Sequence, residues 1–207
     1  MAAKIQSKSG RDRLIRALLI VAAMMISACG GGTQKTESLF SRDETQDAAE
    51  LVIKANGKLM NIKKRFKENE PRYEELKSAL KAKDENKVRE LSNRFVDEIT
   101  AGSQQGDEAI EALKKAKNMN VNEDYRQYLD LKIISLEKYV EAFEQRRQAA
   151  ELLAQGYDPK NVMNRDKVVA EFRQREEKFS QIIEEGRQTS ADANEWARES
   201  LRKQQKQ

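Results

Sequence analysis

The side chains that most often carry catalysis or bind metals are scarce in this sequence. Its 207 residues include no histidine and a single cysteine, Cys29, so the most common acid–base catalyst and metal ligand is missing. Carboxylate pairs such as Glu108/Glu111 and Glu141/Glu144 are typical of the exposed face of a charged helix. No glycine-rich phosphate loop or serine-centred turn is present. The sequence predicts no catalytic residue, no metal site and a non-enzymatic protein.

Two residue pairs inside the helical part leave alternatives open. Arg147 and Glu176 fall on apolar stripes at the same level, where they form either an ion pair at the edge of the core or the polar part of a ligand site. Gly102 and Gly106 have the Gly-x-x-x-Gly spacing of membrane helix dimers. The residues at 103–105 are polar, so this spacing favours close approach of helices within a folded domain.

Cys29 lies at the end of a segment with the composition of an export signal. Arg11, Arg13 and Arg16 precede an apolar run over residues 17–26, and small residues follow, as in a secretory signal peptide. An uncleaved membrane anchor is the alternative. The run has about ten residues, whereas a membrane-spanning helix needs about 20, so the cleaved signal peptide is favoured.

The sequence Ile26-Ser27-Ala28-Cys29 resembles the lipobox of bacterial lipoproteins. This resemblance, confined to the first 29 residues, implies that residues 1–28 are a cleaved signal peptide. It also implies that Cys29 carries a diacylglycerol on its sulfur and a third acyl chain on its amino group, the only cofactor-like group expected. Two or more acyl chains anchor a protein stably to a membrane.

The residue after the cysteine is Gly30. In lipoproteins of two-membrane bacteria, a residue other than aspartate at this place implies transport to the outer membrane, with the folded domain in the periplasm. The partners implied are therefore the membrane, through the lipid anchor, and an envelope protein.

The basic character of the chain comes mainly from the predicted signal peptide. The chain has 39 lysines and arginines and 35 aspartates and glutamates. Five of the basic residues and one acidic residue lie within 1–28, which leaves 34 of each kind in the mature part. A basic surface is the usual requirement for nucleic-acid binding, so no nucleic-acid partner is predicted.

The mature chain divides into a tether and a helical domain. Residues 29–41 comprise the lipidated cysteine and a segment rich in glycine, serine and threonine, which predicts a flexible tether. Residues 42–207 are rich in strong helix formers, and their apolar residues recur every three or four positions. This domain is therefore predicted to be all-α.

The apolar stripes predict four long helices joined by short loops. Pro71 lies within the first stripe, so the first helix should be kinked or briefly broken near Asn69. Asp84 is the predicted N-cap of the second helix. The expected helices cover residues 42–82, 85–117, about 121–156 and about 165–203. Helices joined in this way predict an up-down-up-down four-helix bundle. Two splayed helical hairpins or a dimeric coiled coil are the alternatives, and the oligomeric state stays open.

The spacing of the stripes also predicts which residues face one another. The expected register pairs Gly106 with Ile133 and produces layers in which large side chains face small ones. One layer is aromatic and acts either as core packing or as a small-ligand pocket, and its members are Tyr73, Phe95, Phe143 and Phe179. Two layers further along, the expected members are Phe66, Gly102, Leu136 and Gly186.

The function predicted from these features is that of a membrane-anchored envelope lipoprotein whose helical bundle is a scaffold, spacer or protein-interaction module. The alternative is a periplasmic bundle that binds a small ligand. Binding residues often lie on loops held by rigid elements. The longest loop after the tether is therefore the candidate partner-facing segment, although it could equally be a plain connection. Its residues are Tyr157, Asp158, Pro159, Lys160 and Asn161.

Overall fold

The computed structural model describes residues 43–204, which form four α-helices. The predicted signal peptide, Cys29 and the tether lie outside the described residues, and those predictions stand as predictions. The helices are α1 (Thr45–Ala82), α2 (Glu85–Lys117), α3 (Glu123–Gly156) and α4 (Val162–Gln204). Neighbours in sequence pack against each other, so the predicted all-α four-helix bundle is confirmed.

Polar side chains cap the helices where the sequence changes from turn to helix. The side chain of Asp84 accepts a hydrogen bond from the Lys87 backbone N–H at 3.0 Å, as expected for an N-cap residue. Asn122 does the same for Tyr125 at 2.8 Å. Lys83 ends α1 in a left-handed conformation, with φ of 57°, and this tight turn allows α2 to reverse direction.

Helix α1 continues through Pro71 without a break. Proline in a helix interior costs about 3 kcal/mol because it removes one backbone hydrogen bond and crowds the preceding turn. Pro71 itself is exposed, while Ile62 and Leu76 are buried on either side of it. Burial of the apolar stripe on both sides outweighs the local cost. The predicted interruption is therefore wrong, and a bend at this point stays a prediction.

The core consists of two apolar clusters, one toward each end of the bundle. The cluster near the α1–α2 turn includes Leu76, Leu91 and Leu153, all at most 1% exposed. The other cluster includes Leu113 and Leu129, which are equally buried. Each cluster draws on residues from several helices, so the long helices are held together along their length.

Helices α1 and α4 are joined by side chains alone, whereas the other neighbouring helices also come close at the backbone. Among the described residues, no Cα atom of α1 lies within 8 Å of a Cα atom of α4. Long side chains close the gap instead: the rings of Phe66 and Phe179 stack with centroids 5.9 Å apart. The hydroxyl of Tyr73 donates to Glu176 at 2.6 Å. We call this side-chain contact between the two helices the α1–α4 seam.

Two of the three predicted registers agree with the structure, and one is wrong. Tyr73 meets Phe95 edge to face at 6.1 Å, as expected for α1 and α2. For α3 and α4, the Ser135 hydroxyl donates to the Gly186 carbonyl at 2.7 Å. Gly106, however, packs against Val140 and not against Ile133, a shift of two helical turns between α2 and α3.

The segment between α2 and α3 explains the shifted register. Its Val121 side chain is only 7% exposed and belongs to the core. Glu44, just before α1, binds the same segment through two hydrogen bonds. Its backbone N–H donates to the Asn120 carbonyl at 3.1 Å. Its side-chain carboxylate accepts from the Asn120 backbone N–H at 2.8 Å. This segment is thus a packed part of the end of the bundle and not the tight turn that the predicted register assumed.

The shift moves Phe66 into the aromatic region. Its ring stacks on Phe143, with centroids 5.1 Å apart, as well as on Phe179. The expected layer of Phe66, Gly102, Leu136 and Gly186 is therefore wrong for Phe66. The rings of Phe143, Phe66 and Phe179 stack on one another instead.

Candidate functional site

Tyr157 is part of the core and not of the exposed loop. Its side chain is 3% exposed, and its hydroxyl donates a long hydrogen bond to the Leu80 carbonyl, with the two oxygen atoms 3.5 Å apart. Burial raises the pKa of this phenol. The expected partner-facing role of Tyr157 therefore does not fit the structure, because its ring is covered by the bundle and holds the α3–α4 loop against the end of α1.

The polar residues of the loop are engaged in the turn itself. Asp158 Oδ1 accepts hydrogen bonds from the backbone N–H groups of Lys160, at 2.8 Å, and Asn161, at 3.4 Å. Asn161 Oδ1 accepts from the Asn164 N–H at 3.1 Å, so Asn161 is the N-cap of α4. The lysine side chain at 160 is exposed. Partner binding by Asp158, Pro159, Lys160 and Asn161 stays a prediction, while their local role is to reverse the chain.

Two apolar side chains missed by the sequence analysis are exposed directly after this loop. Val162 is 56% exposed and Met163 is 86% exposed. They form the first turn of α4, which starts a few residues earlier than predicted because Asn161 caps it. Their signal in the sequence is two adjacent apolar residues among polar ones. Single exposed apolar residues are ordinary, but adjacent ones at the tip of a bundle form a small contact surface.

The interior ion pair involves Arg146 and not the predicted Arg147. Arg146 Nε donates to Glu176 Oε1 at 3.0 Å, and a terminal nitrogen of the guanidinium donates to Oε2 at 2.7 Å. Arg147 lies one position further along α3 and pairs with Glu144 and Glu151 on its own helix. The predicted partner Glu176 is confirmed, and the predicted arginine is wrong by one residue.

Aromatic rings surround the Arg146–Glu176 pair. The guanidinium carbon of Arg146 is 3.5 Å from the centre of the Phe179 ring and 4.9 Å from that of Tyr73, distances at which a cation is attracted to a ring. The Tyr73 hydroxyl donates to Glu176. Burial, and then the negative charge of Glu176, raises the pKa of this phenol. Charges and hydrogen-bonding groups are thus matched within the cluster, which fits a structural role.

The level of Gly102 and Gly186, where a bundle that binds a small ligand would have room for a cavity, is unevenly packed. A Cβ atom at position 186 would lie 3.2 Å from the Tyr139 ring and 3.3 Å from the Ser135 carbonyl oxygen. A Cβ atom at position 102 would meet no neighbouring helix within 4 Å. The nearby groove between α1 and α2 has a volume of about 500 Å³ and is lined by polar and charged side chains, among them Arg65, Asn69, Glu98 and Gln105.

Residues 43–204 contain neither a candidate membrane-spanning helix nor a candidate metal-binding cluster. No helix in this range is both long and apolar enough to cross a membrane. No group of three carboxylate, histidine or cysteine side chains in this range is arranged to hold a metal ion. Comparison with protein-family models, with curated proteins and with solved structures found no match.

Proposed function

We propose that this chain is a bacterial envelope lipoprotein whose helical bundle is a non-enzymatic scaffold, spacer or protein-interaction module. The observation that carries the proposal is the Ile26-Ser27-Ala28-Cys29 sequence at the end of a short apolar run. Lipidation gives the only cysteine a role and makes the outer membrane the proposed location. The bundle would then lie in the periplasm, tied to the membrane by residues 29–41.

The two ends of the bundle differ in a way that suits such a module. The start of α1 is bound to the α2–α3 segment through Glu44 and Asn120, and this is the end that continues into the tether. At the other end, Tyr157 joins the α3–α4 loop to the end of α1. Val162 and Met163 are exposed there. The second end, which we call the free tip, offers a partner a rigid surface with apolar side chains.

Lipidation is tested by metabolic labelling with a radioactive fatty acid. Wild-type protein should incorporate the label and fractionate with membranes, because Cys29 supplies the acceptor sulfur. Cys29→Ser should incorporate none, whereas the control Ser38→Ala, which changes a serine of the tether, should behave as wild type. Equal labelling of Cys29→Ser and wild type would overturn the assignment.

Partner binding at the free tip is tested by cross-linking in intact cells. Met163→Gln and Val162→Thr remove exposed apolar surface without touching the core, and both should reduce cross-linking to the partner. The matched control is Met60→Gln, since Met60 is 69% exposed on α1, away from the tip. Retention of every cross-linked product in the tip variants would leave the long charged helix faces as the binding surface.

A further inference from the structure

The outward face of α1 carries two large apolar side chains two helical turns apart. Ile53 is 68% exposed and Met60 is 69% exposed. Gly57 lies between them and is exposed as well. Residues spaced by four and three positions share one face of a helix, so the three form a continuous surface, which we call the α1 stripe. Single exposed apolar residues are ordinary, whereas this spacing is typical of a helix that packs against another element.

Gly57 has no evident role in the packing of its own bundle. A Cβ atom at this position would meet no neighbouring helix within 4 Å. Glycine inside a helix is less stable than alanine, but it lets another backbone approach closely. Gly57 therefore weakens α1 without relieving any crowding inside the bundle, and close approach of a helix from outside the bundle would explain its presence.

The charges on the two sides of Gly57 have opposite signs. Residues 47–56 contain two carboxylates and one lysine, whereas residues 58–67 contain five basic residues and no acidic one. Two of the five, Lys58 and Arg65, are paired with carboxylates of α2. Three exposed lysines remain after Gly57. A second helix that crosses α1 there should therefore carry its negative charges opposite these lysines.

The α1 stripe itself has this charge pattern when a second copy is turned end to end. Glu50 lies two turns before Gly57 and Lys64 two turns after it, and both are exposed. In two antiparallel helices that cross at Gly57, Ile53 of each copy faces Met60 of the other, and Glu50 faces Lys64. Parallel helices in register would place Glu50 against Glu50 and Lys64 against Lys64, where like charges repel.

We propose that the α1 stripe is the interface of a homodimer in which two copies of α1 cross antiparallel at Gly57. The same surface of both copies meets itself about a twofold axis, with apolar residues at the centre and ion pairs at the rim. Only one helix of each copy takes part, so the interface is small and the dimer should dissociate on dilution. This inference depends neither on the proposed lipid anchor nor on the free tip. Loss of the dimer in Met60→Gln should therefore leave cross-links at the free tip in place.

Sedimentation equilibrium of the full chain, in a detergent matched in density to the solvent, measures the mass of the protein alone. Wild type should change from monomer to dimer between about 1 μM and about 1 mM. Ile53→Gln and Met60→Gln should each raise the dissociation constant at least about tenfold, because each removes apolar contacts from both halves of the interface. The control Ile134→Gln, 46% exposed on α3, should dimerise as wild type does. A monomer throughout, whether residues 1–42 or another protein covers the stripe, would overturn the proposal.

Charge exchange tests the predicted ion pair. Lys64 contacts Glu68 of its own helix at 3.9 Å, but both side chains are largely exposed, so water screens this pair. Glu50→Lys and Lys64→Glu should each weaken the dimer, because each brings like charges together across the interface. The double variant Glu50→Lys with Lys64→Glu should dimerise as wild type does. A double variant that dimerises no better than the single ones would overturn the pairing.

Disulfide formation determines the orientation of the helices. On a Cys29→Ser background, where the introduced thiol is the only one, Gly57→Cys should cross-link with itself under mild oxidation. Asn56→Cys is the control: its side chain points away from the crossing, and a disulfide needs Cα atoms within about 7 Å. A mixture of Ile53→Cys and Met60→Cys should yield the mixed dimer. Self-cross-linking of Ile53→Cys without the mixed product would show parallel helices and overturn the proposed interface.

Discussion

Gly106 on α2 packs directly against Val140 on α3: a Cβ atom at position 106 would be 2.6 Å from the valine Cγ2 atom. That separation is well inside van der Waals contact. A valine side chain within a helix has one strongly preferred rotamer, so Val140 cannot easily turn away. Close packing of α2 on α3 therefore requires glycine at 106.

The two glycines of α2 should respond to alanine in opposite directions. Gly106→Ala should destabilise the protein by about 1–2 kcal/mol, because overpacking exceeds the gain in helix propensity. Gly102→Ala should stabilise it by about 0.5–1 kcal/mol, since a Cβ atom there meets no neighbouring helix. Urea unfolding followed by circular dichroism measures both. Adding Val140→Ala to Gly106→Ala should restore most of the loss, and equal responses of the two glycines would contradict the observed register.

The same pair shows what the sequence could and could not predict. Apolar spacing is a property of each helix alone, so the helices and their core faces could be predicted. The α2–α3 register depends on how Val121 and Asn120 pack in the connecting segment, and spacing contains no information on that. A stripe repeats every three or four residues, so a register shifted by two turns still places apolar residues opposite each other.

Arg146 and Glu176 depend on each other inside the aromatic cluster. Glu176→Gln should destabilise the protein by about 2–3 kcal/mol, because it leaves the Arg146 guanidinium half-buried without a counter-charge. The neighbouring Glu177→Gln is the control, since Glu177 is exposed and its loss should change the free energy of unfolding by less than about 0.5 kcal/mol. Thermal or urea unfolding measures the difference.

Replacing both partners provides a second test of this pair. The variant Arg146→Met with Glu176→Leu should regain most of the stability lost in Glu176→Gln, because apolar residues of similar volume often substitute for a buried ion pair. A double variant as unstable as the sum of its single variants would mean that the rings around Arg146, and not the ion pair, determine stability here.

Lys132 should give the protein a stability that rises with pH above 8. Burial of this α3 side chain, and then the charge of Lys63, lowers its pKa to about 8 in the folded state, whereas an unfolded lysine titrates near 10.4. Between these values the unfolded chain binds more protons, so the free energy of unfolding increases with pH. Below pH 8 both states are protonated, and the full cost of burying the ammonium remains.

Comparison with Lys132→Met isolates this contribution. At pH 7 the variant should be more stable than wild type by about 1–3 kcal/mol, since one pKa unit corresponds to about 1.4 kcal/mol. The difference should shrink as the pH rises from 8 to 10. Urea unfolding at several pH values measures it. A constant difference over this range would show that Lys132 keeps its ordinary pKa in the folded protein.

Tyr157 and Met163 lie six positions apart near the free tip but should differ sharply in their effect on stability. Tyr157→Ala should cost about 3–5 kcal/mol, because it empties a packed site in the core. Met163→Ala should change the stability by less than about 0.5 kcal/mol, because the methionine is 86% exposed. Tyr157→Phe keeps the ring and should stay close to wild type. Thermal melts of the three variants test this assignment, and a tolerated Tyr157→Ala would contradict it.

The loop itself shows why the exposed apolar pair escaped prediction. Asp158 and Pro159 are typical turn residues, so the loop was expected to extend through residue 164. Asn161 instead caps α4 and brings Val162 and Met163 into its first turn. Sequence alone cannot decide between adjacent capping residues, and that choice determines which side chains point outward.

The α1–α4 seam has a mechanical consequence. Three of the helix interfaces, α1–α2, α2–α3 and α3–α4, bring backbones close together, while the fourth is closed by side chains alone. The bundle can therefore open by separation of α1 from α4. The α1–α2, α2–α3 and α3–α4 interfaces, where the helices are closely packed, would stay intact. Such opening would expose the seam-facing sides of α1 and α4 at a lower free energy than global unfolding. Amide hydrogen exchange should detect it as a cooperative unit distinct from α2 and α3.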